Sequence, residues 1–466
     1  MKVIPVIAIF DIGKTNKKFF LFDEQYKIVL ERATQFPETS DEDGESCENI
    51  QLLTHWVSDT LREVFIMKKF EVKAVNFSTY GASFVYLDAN GKVIAPLYNY
   101  LKAYPEELKQ QFYTEYGGEE QVSRETASPV LGSLNSGMQI YRIKHQKPEL
   151  YQKIKWALHL PQYLRYVVTQ EVCSDITSVG CHTQLLDFTK NEYHQWVKKE
   201  GITEKLGPLF PSDKAKLITC EGHELYIGTG LHDSSAALIP YLSAFSEPFV
   251  LISTGTWCIT MNPFNDTPLT TEELQKDCLC YIEYHGKPVK ASRLFAGNEH
   301  EIQTKRLAAH YGKPADYYKR VKYSPAIIET LHAKYPKVKE EQTTDNDLLK
   351  FVFDQRDLSE FITYDEAYHC LIIDIMQKQF ISSQLVVKHT KVKRIFVDGG
   401  FSNNIIYMHL LAAAFPTLEV FAASVAQATA VGAALSIHKY WNALPIAGDL
   451  VELKYYSVLH EVTEMK

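Results

Sequence analysis

Residues 7–22 read IAIFDIGKTNKKFFLF, an apolar run followed by Gly13-Lys14-Thr15, the tail of a nucleotide-binding signature. A Walker-type loop needs another glycine five residues before its Gly-Lys and a helix behind it. Position 8 is Ala8, and Phe19–Phe22 continue as a strand. Short apolar segments at 5–10, 19–22 and 27–30, divided by polar turns, predict a β-meander instead. The turn between the first two carries Asp11, Gly13, Thr15, Asn16, Lys17 and Lys18. Its backbone N–H groups and hydroxyls can face a phosphate, with an acid at the strand tip holding Mg2+ through water. A plain solvated hairpin would use the same residues.

Half a chain later PFVLISTGTWCITMNPF (248–264) repeats the design: strand, small polar turn, strand. Two such loops predict an internal duplication, with the site in the cleft between the halves. In KRIFVDGGFSNNIIYMHLLAAAF (393–415) we expect a strand at 394–397, a turn at Asp398-Gly399-Gly400, and a helix capped by Ser402 or Asn403 and ended by Pro416. The paired glycines would let backbone approach a flat ligand, although a tight strand-to-helix connection explains them equally. SVAQATAVGAALSI (424–437) reads as a helix whose small residues permit close packing.

The 466 residues, 45% hydrophobic, suffice for two or three buried cores. A net charge of -8 and a pI near 6.1 exclude a broad basic surface, so nucleic acid is not an expected partner. The eight cysteines form no C-x-x-C pair and read as reduced thiols of a cytoplasmic protein; Cys278-Leu279-Cys280 alternates as a strand does. The N-terminus lacks a signal-peptide pattern, and the apolar region 410–437 is broken by Pro416, Glu419 and Gln427, so no membrane association is expected. We expect ETSDEDGES (38–46) to be a solvated loop, 311–347 an insertion or surface excursion, and 443–466 a short strand and tail. LFAGNEHEIQ (294–303) lacks the second histidine of an H-E-x-x-H helix; Gly297 and Asn298 read as a loop near a nucleotide.

The ordered segments DIGKTNKK (11–18), GASFVYLDANGKVI (81–94), LPQYLRYVVTQE (160–171), GLHDSSAAL (230–238), ISTGTW (252–257) and DGGFSNN (398–404) resemble the FGGY family of carbohydrate kinases over nearly the whole chain. The resemblance implies an α/β fold of two ribonuclease-H-like, actin-like ATPase domains, 1–242 and 243–466, with ATP and sugar meeting in the interdomain cleft. HDSS (232–235) and STGTW (253–257) look most like the rhamnulokinase branch. That implies ATP-dependent phosphorylation of a 6-deoxyketohexose such as L-rhamnulose or L-fuculose. A pentulose kinase acting on xylulose or ribulose, and a non-catalytic sugar- or nucleotide-sensing protein, are the alternatives. A monomer or homodimer is expected.

Phosphoryl transfer to an alcohol needs a proton acceptor, a metal on the phosphates and in-line positioning. The resemblance assigns the proton acceptor to Asp233, which by its position before an Ala-rich helix could also be an N-cap. His232 and Ser234 would touch the sugar or orient Asp233. Tyr80, Gly81, Ala82, Asn99 and Lys102 fall in stretches that line the family's acceptor pocket. Asp11 would hold Mg2+ through water, while Gly13, Thr15, Asn16 and Lys18 face the γ-phosphate. Lys14 replaces a usually small residue and is either a further phosphate ligand or solvent-facing. Thr254, Gly255 and Thr256 would bind the β- and γ-phosphates from the other domain, and Gly399, Gly400 and Asn403 would line the adenosine pocket.

Overall fold

The computed structural model describes residues 3–335 and 350–457. The opening stretch forms antiparallel strands β1 (Ile4–Ile12) and β2 (Lys17–Phe22), with Asp11 opposite Lys18. β3 (Ile28–Thr34) completes the expected meander. Helix α1 (Ile50–Phe65) leads to β4 (Phe70–Thr79), which lies parallel to β1. After α2 (Leu160–Thr169) come β5 (Ala215–Cys220), β6 (His223–Gly228) and β7 (Leu231–His232); β6 and β7 both pair parallel to β4. The sheet order is β5-β6-β4-β1-β2-β3.

The first half closes with α3 (Asp233–Ala244), and the second runs through β8 (Phe249–Thr254), β9 (Cys258–Asn262), β10 (Cys278–Ile282) and β11 (Pro288–Leu294). Then come α4 (Ala296–His310), α5 (Tyr364–Val387), β12 (Arg394–Gly399), α6 (Ile405–Ala414), β13 (Glu419–Ser424), α7 (Ala428–Ser436) and β14 (Glu452–Tyr456). The order is β10-β11-β9-β8-β12-β13-β14, with β8-β9-β11 antiparallel and β12 and β13 parallel to β8. The first sheet has the same plan, β1-β2-β3 antiparallel with β4 and β6 parallel. The two quoted hairpins are therefore equivalent members of a duplicated mixed α/β unit.

β1 is apolar at every position from Val6 to Phe10 because both of its faces are covered. Val6, Ala8 and Phe10 enter a core shared with α1 and α2. Ile7 and Ile9 enter a second core that also takes Leu251, Phe396 and the small residues of α7. That second core fuses the two halves. At its centre α3 and α7 cross closely: Pro240, which has no N–H, leaves the Ala236 carbonyl without its helical donor, and Gly432 comes against that carbonyl. The side chain of Asn76, buried on β4, donates to the Ala433 carbonyl at 2.8 Å and accepts from the Gly230 N–H at 3.0 Å, stapling the halves together.

Helix α5 is long and apolar enough to cross a bilayer by length and composition, but two thirds of its most apolar window is buried in the core of the second half. Three sequence expectations need correction. Asp41, within the acidic stretch, is buried, because its carboxylate pairs with Lys102. Within 311–335 the chain is no surface excursion, since Val321, Ile328 and Leu331 fill the second-half core. The helix after Gly399-Gly400 is capped by Asn404, whose Oδ1 accepts from Ile406 and Tyr407 N–H, and not by Ser402 or Asn403. Residues 336–349 and 458–466, parts of the expected excursion and tail, lie outside the described residues.

Candidate active site

Both hairpins hang from the carboxyl ends of central strands, where a parallel neighbour ends alongside. In the first half Asp11 stands beside Ser78; in the second the types exchange and Ser253 stands beside Asp398. Each pair puts one carboxylate and one hydroxyl at a strand tip. Burial raises the Asp398 carboxyl above the ordinary carboxylate range; it accepts from Tyr241 Oη on α3 at 2.8 Å.

The turn at 13–16 is closed by the Gly13 N–H on the Asn16 carbonyl at 2.9 Å, leaving Thr15 and Asn16 exposed. Asn16 Oδ1 accepts from Gln35 Nε2 at 2.7 Å. Lys14 reaches back to Glu38 at 2.9 Å, on the outer side of the hairpin. Strand alternation separates the next two lysines. Lys17 is 2% exposed and pairs with buried Glu48 at 2.9 Å, whereas Lys18 donates to Gln427 Oε1 at 3.0 Å. Gln427 adopts a left-handed conformation (φ 56) just before α7, and Thr429 in its first turn donates to Asp11 Oδ2 at 2.7 Å. The start of α7 thus meets Asp11 and Lys18 across the halves. Burial, aided by the neighbouring Asp233 carboxylate, pushes the Asp11 carboxyl up to about 6 against the opposing pull of Thr429 and Lys18.

In the second hairpin Thr254 is buried, and its hydroxyl is already committed: it donates to the Asp398 carbonyl at 2.6 Å and accepts from Phe401 N–H at 3.0 Å. It stitches β8 to the Gly399-Gly400 turn. Gly399 has φ 89 and lies flush against the Thr254 carbonyl, so a side chain there is excluded on both counts. Gly255 and Thr256 remain open at the tip, as do Gly400 and Asn403 beside it. Gly297 and Asn298 belong to the first turn of α4 rather than to a loop; Gly297 packs on Gly255, and Asn298 N–H donates to the Thr256 carbonyl at 3.1 Å.

Asp233 opens α3, one residue after His232, which occupies the N-cap position. Its Oδ1 accepts from Ser234 N–H at 2.6 Å and lies 3.2 Å from His232 Nε2, and its side chain is 34% exposed. Both contacts use the same oxygen, and among the described residues no hydrogen bond or ion pair engages Oδ2. Ser234 also directs its hydroxyl to Oδ1, at 3.3 Å. Gly81 is the residue that admits the His232 ring: a Cβ there would sit 2.8 Å from His232 Cδ2. Ala82 follows in a left-handed conformation (φ 61), its carbonyl accepting from Gln139 Nε2 at 2.6 Å. Tyr80 is buried beside Glu48, with its ring 5.9 Å from that of Tyr100.

Segment 98–102 behaves differently from expectation. Asn99 donates to the Ser46 carbonyl at 3.2 Å, and Lys102 is consumed by Asp41 and Asp43, so both face the acidic loop. The intervening Tyr100 is the member that senses Asp233, its hydroxyl held above the ordinary range by burial and by that carboxylate. Sequence reasoning passed over Tyr100, Gln427 and Thr429. No local pattern in the turn at 99–102 singled out the first, and nothing in an Ala-rich helix pattern distinguished the other two.

Comparison with known proteins bears on this arrangement. Residues 6–236 match the model of the FGGY family of carbohydrate kinases, N-terminal domain, and 246–444 match carbohydrate kinase FGGY, C-terminal domain. A rhamnulokinase of Mannheimia succiniciproducens is 24% identical over 284 residues, 58% of this chain and 56% of the relative. An L-fuculokinase of Escherichia coli K12 is 22% identical over 275 residues, 55% and 56% of the two chains. The chain thus matches a little over half the length of these relatives. The crystal structure of a carbohydrate kinase from Novosphingobium aromaticivorans superposes with a TM-score of 0.79 at 20% identity, covering 98% of this chain and 95% of that one. With both domain models matched in order, and with the duplicated sheets they require, the chain belongs to the FGGY family of carbohydrate kinases.

Proposed function

We propose that the protein transfers the γ-phosphoryl group of ATP to a hydroxyl of a ketose, with Asp233 as the proton acceptor. Residues 1–242 carry the base and the sugar site, and 243–466 supply most of the nucleotide site. The observation that carries this reading is the state of Asp233: one oxygen is engaged by Ser234 and His232, the side chain is 34% exposed, and its carboxylate is near enough to Asp11 to raise that group. A helix-capping aspartate would occupy the N-cap, which His232 holds here, and Asp233 is the first helical residue.

Asp233 Oδ2 takes the proton of the attacking hydroxyl, and Lys18 offsets charge developing on the transferred group. With the Gly13 and Gly255 N–H groups closing their turns, the remaining backbone N–H groups of the tips Gly13–Asn16 and Gly255–Thr256 face the phosphates, and Gly399, Gly400 and Asn403 flank the nucleoside. Asp11 fits a hydrated divalent cation, because a carboxylate held near 6 beside a second carboxylate is relieved by positive charge. Mg2+ held there through water by Asp11 would offset negative charge on the phosphates. His232, Ser234, Gly81, Ala82 and Tyr80 form the sugar side. The relatives favour a 6-deoxyketohexose such as L-rhamnulose or L-fuculose over xylulose or ribulose, and the open Asp233 favours turnover over a purely sensing role. A cytoplasmic location follows from the cosubstrate.

Incubating the protein with ATP, Mg2+ and a panel of ketoses should release ADP with at least one sugar and yield a sugar phosphate by NMR. Silence across ketoses and polyols, with ATP still bound, would leave the sensing reading in its place.

A further inference from the structure

The base in the first half is held from the second. His232 has a side chain only 4% exposed. Its Nε2 faces the Asp233 carboxylate, so Nε2 carries the hydrogen, and Nδ1 is left as a buried acceptor with no hydrogen-bond partner among the described residues. What fixes this imidazole is packing. The Tyr281 ring lies against its face at 5.6 Å and 19°, and His182 meets it edge-on at 6.0 Å and 71°. Tyr281 belongs to β10, the edge strand of the second sheet, whereas His232 and Asp233 follow the strands of the first. The next residue on β10 makes a second tie: Ser235 Oγ donates to the Ile282 carbonyl at 2.8 Å, and Gly180 lies flush against the Ile282 side chain. β10 therefore grips the chain one residue before Asp233 and two after it.

Resting on the kinase reading, we infer that Tyr281 is a positioning residue for Asp233: by clamping His232 it keeps Oδ1 occupied and Oδ2 aimed at the acceptor hydroxyl, so that the second half sets the base. The titratable groups around His232 are Asp233 on α3, Tyr281 on β10, Cys181 and His182 on the preceding loop, and His159 at the head of α2; Arg293 on β11 faces Tyr281 and His182. Burial outweighs the pull of Asp233 and holds the His232 imidazole below its ordinary value, which favours the neutral ring beside the base.

The test compares Tyr281→Leu with Tyr281→Phe in the full-length protein. Leu removes the flat face and should lower kcat about 10- to 100-fold with KM for ATP within about twofold of wild type, because a small displacement of a catalytic group is costly. Phe keeps the ring and should recover kcat to within a few-fold. Independently of turnover, the His232 signal in 15N-histidine NMR, assigned with His232→Gln, should titrate below the ordinary imidazole value in wild type and Phe. In Leu it should titrate near the ordinary value of about 6.5. Identical kcat and identical titration in Leu and Phe would overturn the clamp. If no sugar is phosphorylated the kinase reading fails by itself, and the titration still decides the clamp.

Discussion

Asp11→Asn should make the protein more stable and less able to react. Burial raises the Asp11 carboxyl from 3.8 to about 6, a shift of about 2 units. At about 1.36 kcal/mol per unit, ionised Asp11 costs the folded state at most roughly 3 kcal/mol. The sign follows from a folded value above the unfolded one. Below pH 4 both states are protonated and the cost vanishes; it grows as pH rises through the window from 4 to 6 and is complete above it. Asparagine carries no charge and can still accept from Thr429 Oγ1, which now bonds Asp11 Oδ2 at 2.7 Å. With an unfolding entropy of about 2.1 cal/mol/K per residue, roughly 1 kcal/mol/K for the whole chain, the midpoint should rise by up to about 3 °C at pH 7.5. At pH 4 it should not move. Differential scanning calorimetry of the ligand-free protein at the two pH values reads this directly, and the same variant should lose the thermal stabilisation that MgATP gives wild type. A variant less stable than wild type at pH 7.5 would refute the assignment of Asp11 as a strained, cation-seeking carboxylate.

Three further outcomes follow from named contacts. Gly432→Ala drives a methyl into the Ala236 carbonyl at the α3–α7 crossing and should cost about 1–3 kcal/mol by calorimetry; an unchanged midpoint would mean that the crossing is not tightly packed. Lys18→Met should reduce kcat at least about 100-fold, the scale for losing one electrostatic stabiliser, whereas Lys14→Met, whose ammonium is turned to Glu38, should stay within a few-fold in a coupled ADP assay. Gly81→Ala, pressing on the His232 ring, should lower kcat more than it raises KM for the sugar, measured in the same assay.

The duplicated meander was legible because strand and turn chemistry are local: apolar runs broken by Gly, Asn and Asp specify hairpins without reference to the rest of the chain. The positions of Asp11 and of the Gly399-Gly400 turn were legible for the same reason, since each sits at an element boundary, whereas the role given to Asp233 came from the family resemblance and the residues alone left an N-cap open. What stayed hidden depends on long-range packing. Lys17 and Lys18 are adjacent in sequence, and only the burial of β2 sends one to Glu48 and the other to Gln427. Thr254 looked like a phosphate ligand, but its hydroxyl is spent on the Gly399-Gly400 turn from 144 residues away. Lys102 resembled a sugar ligand until Asp41 and Asp43 closed on it. Tyr281 sits in an all-buried strand, and no local pattern separates a clamp from a core aromatic.

The central claim is that Asp233 accepts a proton from an alcohol while ATP is held independently of it. The most direct test is Asp233→Asn, measured for sugar-phosphate formation by 31P NMR and for ATP binding by calorimetry on the same preparation. The account predicts phosphorylation reduced by about 100- to 10,000-fold, the range for a general base, with the ATP dissociation constant changed by less than about threefold. Turnover at the wild-type rate in a variant that binds ATP normally would contradict it.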